Sequence, residues 1–144
     1  MTPTIVIACD HAGFETKVGL IKYLKGKGYE IADMGTNSGE AVDYPDFGHK
    51  LGESIEAGKY IKGISICGSG NGINMVVNKY KGVRSALCWN KEISELARRH
   101  NDANVCSIPA RYIDLEETIE IVDIFLNTGF DGGRHERRIN KIDI

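Results

Sequence analysis

Residues 63–74 read Gly63-Ile-Ser-Ile-Cys-Gly-Ser-Gly-Asn-Gly-Ile-Asn74, a short β-branched run that ends in a cysteine and passes through three alternating glycines into a helical pattern. A strand, a glycine turn and a helix in immediate succession make a β-α unit, and the rest of the chain has to be read as more of the same. Gly68, Gly70 and Gly72 lack Cβ atoms, so backbone N–H groups there can face inward and approach an oxyanion or phosphate closely. A helix over 72–80 places its positive end near Cys67 and favours a thiolate, which makes Cys67 a candidate base at the mouth of an anion-binding loop. The alternative at this point is a tight turn that buries an inert cysteine. The spacing is G-x-G-x-G, without the G-x-G-x-x-G of dinucleotide folds or the G-K-[ST] of a P-loop, which disfavours nicotinamide and nucleoside triphosphate ligands.

Outward from this loop, short apolar runs alternate with longer amphipathic ones. Strands are expected at Thr4–Cys9, Tyr29–Met34, Gly63–Cys67, Val83–Cys88 and Asn104–Ile108. Helices are expected at Phe14–Lys27, through Phe47, Leu51, Ser54 and Ile55 to near Gly58, then at Gly72–Tyr80, Asn90–His100 and Leu115–Asn127. Five β-α units imply right-handed crossovers and a Rossmann-like three-layer α/β/α sandwich around a five-stranded parallel sheet. In such folds ligands bind outside the carboxyl ends of strands, where the reading puts Cys9-Asp10-His11, Cys67, Cys88 and Cys106.

The whole chain of 144 residues, 42% apolar and 26% charged, suits a single domain over residues 1–144 with a short basic C-terminal segment from about 132. A net charge of −2 provides no general attraction to nucleic acid or to an anionic membrane, so neither is expected as a partner. The N-terminal run Met1–Asp10 has no basic region ahead of its apolar stretch, and no segment reaches membrane-spanning length; a cytoplasmic location is expected. Cys9, Cys67, Cys88 and Cys106 contain no C-x-x-C pair, which argues for free thiols and against a zinc site.

Several polar residues carry two readings each. Asp10-His11 is either a helix cap followed by a surface histidine or part of the site shared with Cys67. His100 either complements the negative end of its own helix or acts in catalysis. Arg134 and Arg138 share one helical face and suit a phosphate, or belong to a solvated tail; His49 and His135 are read as surface histidines.

Taken in order, Cys-Asp-His-Ala-Gly at 9–13, Asp-Tyr-Pro at 43–45, Ile-Cys-Gly-Ser-Gly-Asn-Gly-Ile at 66–73, Arg-Arg-His-Asn-Asp-Ala-Asn-Val at 98–105 and Gly-Gly-Arg-His at 132–135 resemble the ribose-5-phosphate isomerase B family. That family also includes galactose-6-phosphate and allose-6-phosphate isomerases, and the resemblance spans nearly the whole chain. It implies an aldose–ketose isomerase that needs no metal or cofactor and interconverts D-ribose 5-phosphate and D-ribulose 5-phosphate through an enediol. It further implies Cys67 as the base and His100 as the ring-opening group, with Ser69 and Asp10 completing the catalytic set. By the same resemblance Asp10, His11, Tyr44, Gly68, Ser69, Gly70, Asn71, Gly72 and Asn101 bind substrate, and Arg111, Arg134 and Arg138 bind phosphate or substrate. A second branch of the family carries an acidic base at the position of Ile73, which cannot accept a proton. Alternative functions are isomerisation of a six-carbon aldose 6-phosphate and a non-catalytic sugar-phosphate-binding subunit.

Topology adds one expectation of its own. A crossover helix returns antiparallel to its strand, so His100 belongs at the amino edge of the sheet, opposite Cys67. A His100 that serves this chemistry then comes from a second subunit, in a symmetric homodimer with a shared active site, as the resemblance also implies; pairing of dimers into a tetramer stays open.

Overall fold

All five strands are parallel, in the order β2-β1-β3-β5-β4, with β1 at Thr4–Cys9, β2 at Glu30–Asp33, β3 at Lys62–Cys67, β4 at Ser85–Leu87 and β5 at Val105–Pro109. The structure, a computed structural model, describes residues 3–144; Met1 and Thr2 of the N-terminal run lie outside the described residues. Five longer segments form helices α1 (Phe14–Gly26), α2 (Tyr44–Glu56), α3 (Asn71–Val77), α4 (Lys91–Asn101) and α5 (Leu115–Asn127), and a short α6 (Arg134–Ile139) follows. No helix among the described residues is long and apolar enough to cross a membrane.

The three central strands are apolar on both faces because both faces are covered. Side chains alternate across a strand, so Ile5 and Ile7 of β1 point to the layer that contains Leu20, Leu24, Ala97, Ile121 and Phe125 of α1, α4 and α5. Val6 and Ala8 point the other way, towards Leu51, Ile55 and Val77 of α2 and α3. Full burial of a side chain such as Phe125 contributes about 1.5–3 kcal/mol. Hydroxyl pairs satisfy the polar groups inside the sheet: Ser107 Oγ lies 2.6 Å from Ser65 Oγ and 2.9 Å from Ser85 Oγ.

The architecture agrees with the fold read from the sequence, with local differences. The fourth strand is shorter than Val83–Cys88: at its start Asn104 Oδ1 accepts from Arg84 N–H at 2.8 Å, the Asn78 amide accepts from Ser85 N–H and donates to its carbonyl along the outer edge, and past its end Cys88 N–H donates to the Ser107 carbonyl at 2.9 Å. Helix α3 ends at Val77, before Tyr80. Cys106 is not at a strand end; it is the second residue of β5, opposite Ile64 and Ala86. Cys88 lies one residue past β4 and is fully buried in the core.

Sheet order makes the site. Beyond β1 the chain moves outward to β2, then returns to place β3 on the other side of β1. The carboxyl ends of β1 and β3 therefore flank the point where the winding reverses, the place in a doubly wound sheet where a crevice opens.

Candidate active site

Cys67 is the last residue of β3, 4% exposed, and its carbonyl is tied to β5 by the Ala110 N–H at 3.0 Å. The next residues leave the sheet through the glycine loop. Gly70 has φ +75°, and a Cβ there would stand 3.1 Å from Pro109 N and 3.2 Å from the Ile108 carbonyl carbon, so only glycine serves this turn. Among the described residues, the backbone N–H groups of Gly68, Ser69 and Gly70 find no acceptor and are free for a ligand, while the Ser69 hydroxyl accepts from Asn71 N–H at 3.3 Å.

A cavity of about 350 Å³ opens over this loop, lined by Asp10, Tyr44, Cys67, Gly68, Ser69, Gly72, Arg111 and Tyr112. Each element end supplies one part. Asp10 follows β1 directly, is 7% exposed, and its Oδ1 accepts from Ala12 and Gly13 N–H at 3.0 and 3.3 Å. Asp10 thus caps the 3-10 turn at His11–Gly13 and also lines the cavity. His11 sits beside it, outside the lining, with Nδ1 accepting from Val42 N–H at 3.1 Å; this bond anchors the loop that leads into α2. Tyr44, the first residue of α2, lies over Gly72.

Arg111 arrives from the loop after β5. Its N–H donates to the Gly68 carbonyl at 3.0 Å, and its guanidinium lies so near Gly68 that a Cβ there would be 3.0 Å from Nη1. One cation and one carboxylate thus face each other across the thiol, beside unpaired N–H donors. That arrangement can hold a polyhydroxylated, anionic molecule and stabilise oxyanion charge that develops on it.

The other thiols are separated from this chemistry by burial. Burial pushes Cys9 up to about 11 despite the nearby Lys17 ammonium. Cys106 is pushed well up by its hydrogen bond with Cys88 and by burial. Cys67 is the thiol that lines the cavity. Ile73 is wholly buried against the α2 face, with no part in the site.

His100, Asn101, Arg134 and Arg138 do not join this group. Helix α4 ends with His100 and Asn101 at the amino edge of the sheet, where Arg84 Nε donates to the Asn101 carbonyl at 3.0 Å just ahead of β4. Strands of five or six residues set that edge roughly 15–20 Å from Cys67. Asn101 borders a larger opening of about 700 Å³, together with Lys79, Arg84 and Ile142–Ile144, that holds no cysteine. Arg134 and Arg138 lie on α6, whose His135 ring stacks on His100 at 4.2 Å between centroids. His135, read from sequence as a surface histidine, is partly buried by this stacking.

A model of the family described as Ribose/Galactose Isomerase matches residues 5–142. The chain belongs to this family. Among Ribose/Galactose Isomerase relatives, Escherichia coli ribose-5-phosphate isomerase B is 38% identical over 138 residues, 96% of this chain and 93% of that protein. A crystal structure of a ribose 5-phosphate isomerase from Thermotoga maritima is 50% identical and superposes with TM-score 0.96 over 99% of each chain. The ribose-5-phosphate isomerase B of Mycoplasma genitalium, solved with bound ribulose-5-phosphate, is 42% identical with TM-score 0.93 over 96% of this chain and 93% of that one.

Two residues of this Ribose/Galactose Isomerase chain escaped sequence reasoning. Tyr112 lines the cavity and is 78% exposed; an aromatic next to Arg111 was the only available signal. Arg98 is buried and pins the turn after His100, donating to Asp102 Oδ1 at 2.9 Å, the Ala103 carbonyl at 2.6 Å and the Thr128 carbonyl at 3.0 Å. Its burial inside the charged run Arg98-Arg99-His100 carries no local signature.

Proposed function

We propose that this isomerase interconverts D-ribose 5-phosphate and D-ribulose 5-phosphate through an enediol, with Cys67 as the base. The observation that supports it most is the placement of Cys67 in the cavity between Asp10, Arg111 and the unpaired N–H groups of the glycine loop. In the open-chain aldose, Cys67 thiolate takes the C2 proton. The C–H electron pair forms the C1–C2 double bond while O1 takes up negative charge. The loop N–H groups and the Ser69 hydroxyl are positioned to meet oxyanion charge there. Transfer of the O2 proton to O1 through the enediol, and return of the proton from Cys67 to C1, leave the O1 hydroxyl and the C2 ketone. Asp10 and Tyr44 hold sugar hydroxyls, with Gly72 in that wall and His11 and Asn71 behind it, where His11 anchors the loop that leads into α2.

His100 opens the furanose ring by proton transfer, and it does so for a neighbouring subunit's Cys67. Its distance from its own cavity supports this, since no side-chain motion bridges the length of the strands. The partner copy supplies Asn101, Arg134 and Arg138 along with His100, and with Arg111 these form the phosphate end. The symmetric dimer is then the smallest complete unit.

The test is a coupled assay of ribose 5-phosphate against allose 6-phosphate and galactose 6-phosphate. Ribose 5-phosphate is expected to have the highest kcat/KM. A higher value for a six-carbon substrate would reassign the substrate, and no turnover of any phosphorylated aldose by folded protein would leave a binding subunit.

A further inference from the structure

We propose that His100, Asp131 and His135 form a binding site for a divalent transition-metal ion of the zinc class, and that occupancy inhibits the enzyme. One ligating atom from each of the three residues lies within 4.8 Å of the others. His100 ends α4, His135 is in the first turn of α6, and their rings stack 4.2 Å apart with 10° between planes. Among the described residues neither ring makes a hydrogen bond, so their nitrogens are open to a metal. Two imidazoles and a carboxylate are a donor set that zinc accepts with water completing a tetrahedron. Parallel rings must tilt towards a shared ion, and a partly exposed His135 on a six-residue surface helix leaves room for it.

The carboxylate is already placed. Arg99 Nε donates to Asp131 Oδ1 and Oδ2 at 3.3 and 3.2 Å, and Asp131 N–H donates back to the Arg99 carbonyl at 3.0 Å. Each carboxylate oxygen keeps a further lone pair for an ion. The surroundings also select the class of ion. Arg99, Arg134 and Arg138 outnumber Asp131 nearby, which works against calcium or magnesium, held by charge and oxygen ligands. Zinc, nickel and copper bind through imidazole donation, which persists in such a field.

The inhibitory half rests on the ring-opening role of His100 proposed above, because a metal on that imidazole removes its proton-transfer capacity. The metal-binding half stands apart from it. The experiment is titration calorimetry of Zn²⁺ into the full-length, chelator-treated protein, with turnover of ribose 5-phosphate measured at the same zinc concentrations. Wild type is expected to bind one ion per chain. His135→Ala and Asp131→Asn should each weaken binding by roughly tenfold or more, as loss even of a residue that merely supports a ligand does. Cys67→Ala should bind zinc as wild type does, and a chelator should restore wild-type turnover. Unchanged zinc affinity in His135→Ala and Asp131→Asn, or loss of binding in Cys67→Ala, overturns the site. Zinc bound at this site without effect on turnover overturns the inhibitory half and counts against His100 as the ring opener.

Discussion

The ring of Tyr44 covers Gly72 so closely that a Cβ on the glycine would stand 2.6 Å from both Cε1 and Cζ of the tyrosine. Gly72→Ala therefore has to push Tyr44 out of the cavity wall. Overpacking of this kind costs about 1–3 kcal/mol of stability, and displacement of a positioning group by about an ångström lowers kcat/KM roughly a hundredfold. A denaturation series alongside steady-state kinetics separates the two effects; an unperturbed kcat/KM in a folded Gly72→Ala would show that Tyr44 does not position substrate.

Cys67 is the thiol at the cavity, whereas Cys9, Cys88 and Cys106 are fully buried in the core. Cys67→Ala should lower kcat by about 10²- to 10⁴-fold, the usual contribution of a positioned base, with little change in substrate binding measured by calorimetry. Iodoacetamide should label Cys67 first, at a rate that ribose 5-phosphate slows. A Cys67→Ala enzyme with near-normal kcat removes the thiol from the mechanism.

Cys67→Ala and His100→Ala chains, each inactive alone, should complement one another. In a shared site every heterodimer keeps one intact pair, so random reassortment restores about a quarter of wild-type activity. Native mass spectrometry verifies that subunits have exchanged. Exchange without recovered turnover would place Cys67 and His100 in separate functions.

Alkaline stability should report Cys9. Burial raises this thiol from 9.0 to about 11, so the folded chain binds its proton more tightly than the unfolded chain does. The associated stability is complete below pH 9 and is lost as pH rises towards 11, by at most about 3 kcal/mol. Urea unfolding of wild type and Cys9→Ala from pH 8 to 11 should show a steeper decline for wild type. Parallel curves would rule out a raised Cys9 pKa.

The loop from Gly68 to Gly72 was legible because its chemistry is local: missing Cβ atoms, an apolar run before it and a helical pattern after it all lie within a dozen residues. The bounds of β4 were not legible, since Val83–Cys88 looks like a strand by composition. At its start the Arg84 N–H is taken by the side chain of Asn104, twenty residues on in sequence. Cys106 is different: the expected strand Asn104–Ile108 already held it in mid-strand, and β5 runs one residue further to Pro109 and carries Arg111, not a cysteine, to the site. Tyr112 and the stacking of His135 on His100 depend on packing between elements and left no local pattern.

Alternation of β-branched and amphipathic runs settles the parallel α/β class from sequence alone, because side-chain periodicity is a property of neighbouring residues. The glycine spacing and Cys67 likewise carry their chemistry in the chain itself. Tertiary structure decided which strand ends meet. The placement of β1 beside β3 brings Asp10 to Cys67, and β5 on the far side of β3 delivers Arg111. The same sheet holds His100 at its opposite edge. Such neighbours follow from how crossovers bury both faces of the whole sheet, a requirement that acts between distant segments and is written in none of them singly.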